Sequence, residues 1–219
     1  MPMDRDRELA ASRERMLSDD LVGRGIRDAA VLRAMREVPR EKFLPPGMEQ
    51  YAYEDSPLPI AEGQTISQPY IVAYMVEALE LRGRERVLEI GTGSGYAAAV
   101  LSLCAAEVYT VERIPLLAET ARERMKSLGF RNVTVHLGDG TMGWPDHAPY
   151  DAIVVTAGAP DVPVELTEQL APGGRLVIPV GATPYLQELV RVRRPAEGEL
   201  RRENLCAVRF VPLIGEQGW

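Results

Sequence analysis

The sequence predicts an α/β, doubly wound domain whose mostly parallel sheet ends in an antiparallel strand pair and is preceded by N-terminal helices. Two observations predict it. From residue 83 onward, short apolar runs rich in branched side chains alternate with helical patterns, as buried parallel strands covered on both faces do. The first of those strands runs into three alternating glycines, Gly91, Gly93 and Gly95, directly ahead of a helical pattern.

Up to about Arg36 the chain reads as helical, with Leu17, Leu21, Val31, Leu32 and Met35 at helical spacing between charged residues. Gly23 and Gly25 separate two helices there. Residues 39–59 are rich in Pro and aromatic side chains and read as an ordered, irregular connection. Ser67-Gln68-Pro69 then opens a helix with Pro in its first turn and an apolar stripe of Ile71, Val72, Met75, Val76 and Leu79. Strands are predicted at 86–90, 108–111, 133–137, 151–156 and 175–180, and helices at 96–104, 115–128 and 164–170. Pro172-Gly173-Gly174 should separate the last helix from its strand. Two further strands, 188–193 and 207–213, complete the sheet as the antiparallel pair. No repeat or linker divides the 219 residues, so one domain is expected. Within it, residues 1–82 form a helical and loop region and residues 83–219 the α/β core.

Composition narrows the function. A net charge of −7 argues against a duplex nucleic-acid partner, which selects a basic face. Cys104 and Cys206 stand in no metal-like or redox-like spacing, and His136 and His147 are isolated from them, so no metal is expected. No apolar run approaches the roughly 18 residues of a membrane span. The first twenty residues are dense in Arg, Asp and Glu and lack the apolar stretch of a secretory signal, which makes a cytoplasmic protein the expectation.

The most informative segment is Glu89-Ile90-Gly91-Thr92-Gly93-Ser94-Gly95-Tyr96. Glycines there let the backbone turn sharply and a ligand approach without Cβ atoms in the way. Glu112, at the end of the next predicted strand, can accept both hydroxyls of a ribose. A dinucleotide turn leaves two residues between its last glycines and a helix N-terminus free for pyrophosphate. Here the spacing is Gly-x-Gly-x-Gly, and the Glu89 carboxylate would repel a pyrophosphate. The same carboxylate suits the ammonium and sulfonium charges of S-adenosylmethionine, which is therefore the expected cofactor. Asp139, between Gly138 and Gly140 after the third strand, is placed to meet an adenine amino group, although a turn-forming Asp is the plainer reading.

The acceptor is narrowed by what is missing. The Asn/Asp-Pro-Pro-aromatic motif of many amino methyltransferases is replaced by Thr156-Ala157-Gly158-Ala159-Pro160, and neither cysteine sits in a Pro-Cys loop. Beyond that the residues carry a resemblance. Pro39-Arg40-Glu41-Lys42-Phe43, Leu58-Pro59-Ile60, Gly63-Gln64-Thr65-Ile66-Ser67-Gln68-Pro69, the glycine-rich turn, Val111-Glu112-Arg113, Gly138-Asp139-Gly140, Tyr150-Asp151-Ala152-Ile153, Gly173-Gly174 and Val208-Arg209-Phe210-Val211-Pro212-Leu213 occur in order. From about Leu21 to Leu213 the chain resembles the protein-L-isoaspartate O-methyltransferase family. The Gly-Gln-Thr-Ile-Ser-Gln-Pro run is the most specific part.

The resemblance implies a Rossmann-like class I methyltransferase fold. It also implies esterification of the free α-carboxylate of L-isoaspartyl residues in damaged proteins and peptides, with D-aspartyl residues as a second acceptor class, and repair as the outcome. Ser67 would be the active-site residue. Thr65, Ile66 and Ser67 would line the junction of cofactor and substrate; Gly91, Thr92, Gly93, Gly95, Tyr96, Glu112, Arg113, Asp139 and Gly140 would hold the cofactor. Ile60, Gln64, Thr65, Val208, Phe210, Val211 and Pro212 would hold the peptide. Residues alone read Thr65 or Ser67 as the N-cap of the following helix. Ala61-Glu62 departs from the Gly-x that many members carry before Gly63-Gln64. A methyltransferase for a small molecule or nucleic acid, sharing only the cofactor half, is the alternative; a monomer is the expected state.

Overall fold

The computed structural model describes residues 2–183 and 186–219. Helix α1 (Pro2–Arg15) passes into a π-helical turn, Met16–Val22, that buries Met16, Leu17 and Leu21. Helix α2 (Ala29–Glu37) begins where Asp28 accepts the N–H groups of Ala30 at 2.8 Å and Val31 at 3.1 Å, and it buries Val31, Ala34 and Met35. Two 3₁₀ turns, Arg40–Phe43 and Glu49–Tyr51, occupy the irregular connection. Strands β1 (Leu58–Pro59) and β2 (Thr65–Ile66) then pair antiparallel as a small ribbon that the sequence pattern did not announce. Helix α3 (Pro69–Ala78) follows, with Val72, Met75 and Val76 in the core and Leu79 at its C-cap.

The main sheet contains β3 (Arg86–Ile90), β4 (Glu107–Glu112), β5 (Val133–Leu137), β6 (Tyr150–Val155), β7 (Leu170–Thr183), β8 (Leu186–Arg193) and β9 (Arg201–Val208) in the order β5-β4-β3-β6-β7-β8-β9. Strands β3 to β7 pair parallel, while β8 and β9 are antiparallel additions. Helices α4 (Tyr96–Ser102), α5 (Pro115–Leu128) and α6 (Val164–Glu168) connect the parallel strands. Val87, Val108 and Val154 face one apolar core with α3 and α4, and Leu88, Ile90 and Ile153 face the other. Because β3 has β4 on one side and β6 on the other, the chain reverses direction across the sheet there, which opens a crevice beyond the strands' carboxyl ends. No helix of the described residues is long and apolar enough to cross a membrane.

Some local expectations change. Pro172-Gly173-Gly174 lies inside β7, because the Gly173 N–H reaches Arg194 O at 2.7 Å and the Arg194 N–H reaches Gly174 O at 2.9 Å. Helices α4 and α6 stop at Ser102 and Glu168, each two residues short of its predicted end. The last strand is Arg201–Val208 rather than 207–213. Beyond Val208 the chain leaves the ladder: Gln187 donates to Phe210 O at 3.2 Å and accepts Phe210 N–H at 2.8 Å, and Pro212 has no N–H to offer a neighbour.

Candidate active site

The crevice at the sheet's reversal is lined by Gln64–Ser67, by Gly91–Ser94 with Tyr96, by Val111–Ile114, by Gly140, by Thr156 and Ala157, and by Val211–Ile214. The glycine-rich turn forms its floor. Gly91, Gly93 and Gly95 have φ of 97°, 53° and 87°, a left-handed region that other residues enter at a cost. At two of them space is also short. A Cβ on Gly91 would lie 2.5 Å from Thr156 Oγ1, and one on Gly95 would lie 2.7 Å from Met125 Cε. Thr156 Oγ1 in turn donates to Gly91 O at 2.7 Å, which fastens the turn to the end of β6.

Glu112 stands at the end of β4 with 6% of its surface exposed. One carboxylate oxygen accepts the Gly93 N–H at 2.9 Å and the other accepts the Ile114 N–H at 3.0 Å. The carboxylate is thus fixed beside the turn while remaining on the cleft wall. Arg113 follows at the exposed rim. Tyr96, fully buried, opens α4; its ring meets Phe43 edge-on at 5.5 Å and lies under the Arg40 guanidinium at 4.7 Å.

Glu89 is placed differently from the sequence expectation. It shares a face of β3 with Val87, is 0% exposed, and sits beneath the turn, off the cleft wall. Burial pushes its carboxyl up to about 8, opposed by the Thr110 hydroxyl that donates to it at 2.5 Å. Thr110 Oγ1 lies 2.6 Å from Thr92 Oγ1, so Glu89 reaches the turn through two hydroxyls. Asp139 also stands outside the wall. Its Oδ1 accepts the Thr141 N–H at 2.9 Å and hydroxyl at 2.7 Å, and its Oδ2 accepts the Glu216 N–H at 2.8 Å. The turn-forming role is the one it plays in this structure.

On the opposite side, Thr65 and Ile66 belong to β2 and Ser67 continues from it, half-buried, toward α3. Neither Thr65 nor Ser67 caps that helix. Asp55 does so from a distance, accepting the Tyr70 N–H at 3.0 Å and the Gln68 side chain at 2.6 Å, with Arg24 paired to the same carboxylate. Among the described residues no hydrogen bond engages the Ser67 hydroxyl. Asp55 and Thr156 were not legible as site supports, because each acts on backbone brought near only by the tertiary fold. Ile60 lies just outside the lined wall, toward Gly93. Val208 and Phe210 also lie off the wall, whereas Val211 and Pro212 are on it.

The chain is similar to known proteins over nearly its whole length. The family model for protein-L-isoaspartate(D-aspartate) O-methyltransferase matches residues 11–218. Protein-L-isoaspartate O-methyltransferase 2 of Pelobacter propionicus is 68% identical over 207 residues, spanning 94% of this chain and 92% of that one. Protein-L-isoaspartate O-methyltransferase 1 of Geotalea uraniireducens is 66% identical, with 97% of each chain covered. A solved protein-L-isoaspartate O-methyltransferase superposes with a TM-score of 0.86 at 33% identity, over 94% of this chain and 67% of that one. A Plasmodium falciparum protein solved in complex with S-adenosyl-L-homocysteine gives a TM-score of 0.75 at 26% identity, over 90% of this chain and 96% of that one.

Proposed function

The chain belongs to the protein-L-isoaspartate(D-aspartate) O-methyltransferase family, and on that premise we propose how its own residues divide the work of methyl transfer. The enzyme uses S-adenosylmethionine to esterify the free α-carboxylate of L-isoaspartyl residues in proteins and peptides. One observation carries the assignment of roles: the Gln64–Ser67 segment and the glycine-rich turn with Glu112, far apart in sequence, line a single cleft.

The cleft fits the cofactor. Gly91, Gly93 and Gly140 line it without Cβ atoms, and a Cβ on Gly140 would lie 2.3 Å from Ile90 Cγ2. Glu112 offers carboxylate oxygens to ribose hydroxyls at the end of β4. Bound S-adenosylmethionine supplies an electrophilic methyl group on a sulfonium. An isoaspartyl α-carboxylate, with a pKa near ~3.5, is already ionised at neutral pH and needs no base. Ser67 is then an orienting donor, its hydroxyl holding the acceptor oxygen in line with the methyl. Fixing that geometry can lower a barrier by about 7–11 kcal/mol in the best cases.

Residues 1–82 supply Gln64, Thr65, Ile66 and Ser67 to the acceptor side, and residues 83–219 supply the cofactor side together with Val211 and Pro212. Ile60, Val208 and Phe210 complete the peptide-holding set as neighbours of that wall. In the methyl ester the neighbouring amide nitrogen can attack the acyl carbon and expel methoxide, which leaves as methanol with the amide proton, whereas the carboxylate has no comparable leaving group. Water then opens the succinimide and returns part of the product to normal aspartate. A chain of net charge −7 that acts on extended peptides suits a cytoplasmic monomer without a nucleic-acid partner. The test is methyl transfer from labelled S-adenosylmethionine to paired peptides that differ only in an isoaspartyl or aspartyl linkage. Base-labile label on the isoaspartyl peptide alone is expected; equal labelling of both would reject the assignment.

A further inference from the structure

The segment Gly215–Trp219 lies beyond the last recognisable motif, and it binds back onto the stretches of chain that form one wall of the cleft. We propose that this segment, anchored in part by Trp219, assembles one wall of the cofactor cleft and thereby sets cofactor affinity.

That wall is made from three separate stretches of chain, around Gly140, around Ala157 and around Leu213. Two of them are joined directly: the Leu213 N–H donates to Gly158 O at 2.7 Å. Trp219 strengthens this junction from both ends. Its backbone N–H donates to Leu213 O at 2.8 Å, and its indole Nε1–H donates to the same Gly158 carbonyl at 3.0 Å. The segment's middle reaches the third stretch, where the Glu216 N–H meets Asp139 Oδ2 at 2.8 Å and the Gln217 N–H meets Thr141 Oγ1 at 3.2 Å. Gly140, which lines the cleft, sits between those two anchors.

The glycines of the segment are fitted to this docking independently of backbone conformation. A Cβ on Gly215 would lie 2.1 Å from Asp139 Oδ1, and a Cβ on Gly218 would lie 2.2 Å from Leu213 O. Neither contact leaves room for a side chain. Two glycines, one indole N–H and three backbone amides therefore converge on the same three stretches. Docking of the segment and binding in the cleft must then be coupled, and coupling is reciprocal: whatever the segment adds to cofactor affinity, the cofactor adds to the segment's order.

The inference rests on the cleft being the S-adenosylmethionine site. The test compares the full-length protein with Trp219→Phe, Gly218→Ala and a chain ending at Ile214, using calorimetric titration with S-adenosylhomocysteine. About tenfold weaker binding is expected for Gly218→Ala and for the shortened chain, with a smaller loss for Trp219→Phe, in the usual range of coupling between sites. The KM for an isoaspartyl peptide at saturating cofactor should stay unchanged. Hydrogen exchange supplies a second arm that needs no variant: S-adenosylhomocysteine should slow exchange across residues 214–219 of the wild-type chain. Unchanged affinity in Gly218→Ala together with unchanged exchange would overturn the proposal, as would parallel losses in cofactor affinity, peptide KM and unfolding midpoint. If the shortened chain does not fold, Gly218→Ala and the exchange arm decide. Wild-type protein that fails to bind S-adenosylhomocysteine would instead reject the underlying assignment of the cleft.

Discussion

Glu112 accepts the backbone N–H of Gly93 at 2.9 Å, a bond that makes the glycine-rich turn and the carboxylate at the end of β4 one rigid unit. Replacing Glu112 with Gln keeps the shape but removes the charge and one acceptor oxygen. Hydrogen bonds to charged groups contribute about 1.5–3 kcal/mol, so Glu112→Gln should weaken S-adenosylhomocysteine binding about ten- to a hundredfold. Peptide KM at saturating cofactor should change little. A variant that binds the cofactor product as tightly as wild type would remove Glu112 from the ribose site.

Gly91 is constrained twice, by a φ of 97° and by Thr156 Oγ1 lying 2.5 Å from where a Cβ would stand. Gly91→Ala must adopt strained backbone and push Thr156 away from the Gly91 and Ile90 carbonyls. A loss of about 1–3 kcal/mol in urea unfolding is expected, together with impaired cofactor binding. Gly93→Ala is the informative partner, because only Ile60 Cδ1, at 3.7 Å, approaches its Cβ position and the strain is conformational alone. It should cost less stability than Gly91→Ala.

Sequence pattern alone found strands β3 to β6 and the glycine-rich turn, because buried parallel strands and close-approach glycines leave local signatures. What it missed depends on contacts made at a distance. Asp55 caps α3 across 15 positions, so Thr65 is strand and Ser67 cleft lining rather than cap. The strand after β8 ends at Val208 because a buried Gln187 takes both backbone groups of Phe210, a pairing that no periodicity reveals. Glu89 and Asp139 were recognised as chemically suited carboxylates. Whether each faces the cleft depends on which side of β3 Glu89 occupies and on the 215–219 segment that occupies Asp139, and neither is a property of local spacing.

Glu89 gives a pH prediction. Its ordinary value of 4.5 is pushed up to about 8 by burial, so the folded chain holds this proton more tightly than the unfolded one between those limits. The contribution is fully present below the unfolded value and is lost as pH rises through the folded one. Glu89→Gln is neutral throughout and lacks that loss. The unfolding free energy of the variant relative to wild type should therefore rise between about pH 4.5 and about pH 8, with a slope approaching ~1.4 kcal/mol per pH unit at most. A difference that stays flat with pH would show that the wild-type carboxyl is not held neutral.

Gln187 is 2% exposed and holds Phe210 through both backbone groups, which aims the following Val211 and Pro212 at the cleft. Gln187→Leu keeps the bulk and leaves those groups unpaired, at a cost of about 1–3 kcal/mol each where they stay buried. The expected signature is a raised KM for isoaspartyl peptides with S-adenosylhomocysteine binding nearly intact. A loss confined to cofactor binding would place this stretch on the other side of the reaction.

Ser67 is the sharpest test of the mechanism, because orientation and proton transfer leave different traces. If the hydroxyl only holds an already ionised carboxylate, Ser67→Ala loses one hydrogen bond to a charged group, and kcat should fall about ten- to a hundredfold. The shape of the kcat–pH profile should not change, since no proton passes through the residue. Thr at this position keeps the hydroxyl and should recover part of the rate, limited by its extra methyl. A general base would behave otherwise: its removal would abolish a limb of the profile. Unaltered kcat and KM in Ser67→Ala would leave the segment beside the cleft without a chemical role and shift the burden of alignment to Gln64, Val211 and Pro212.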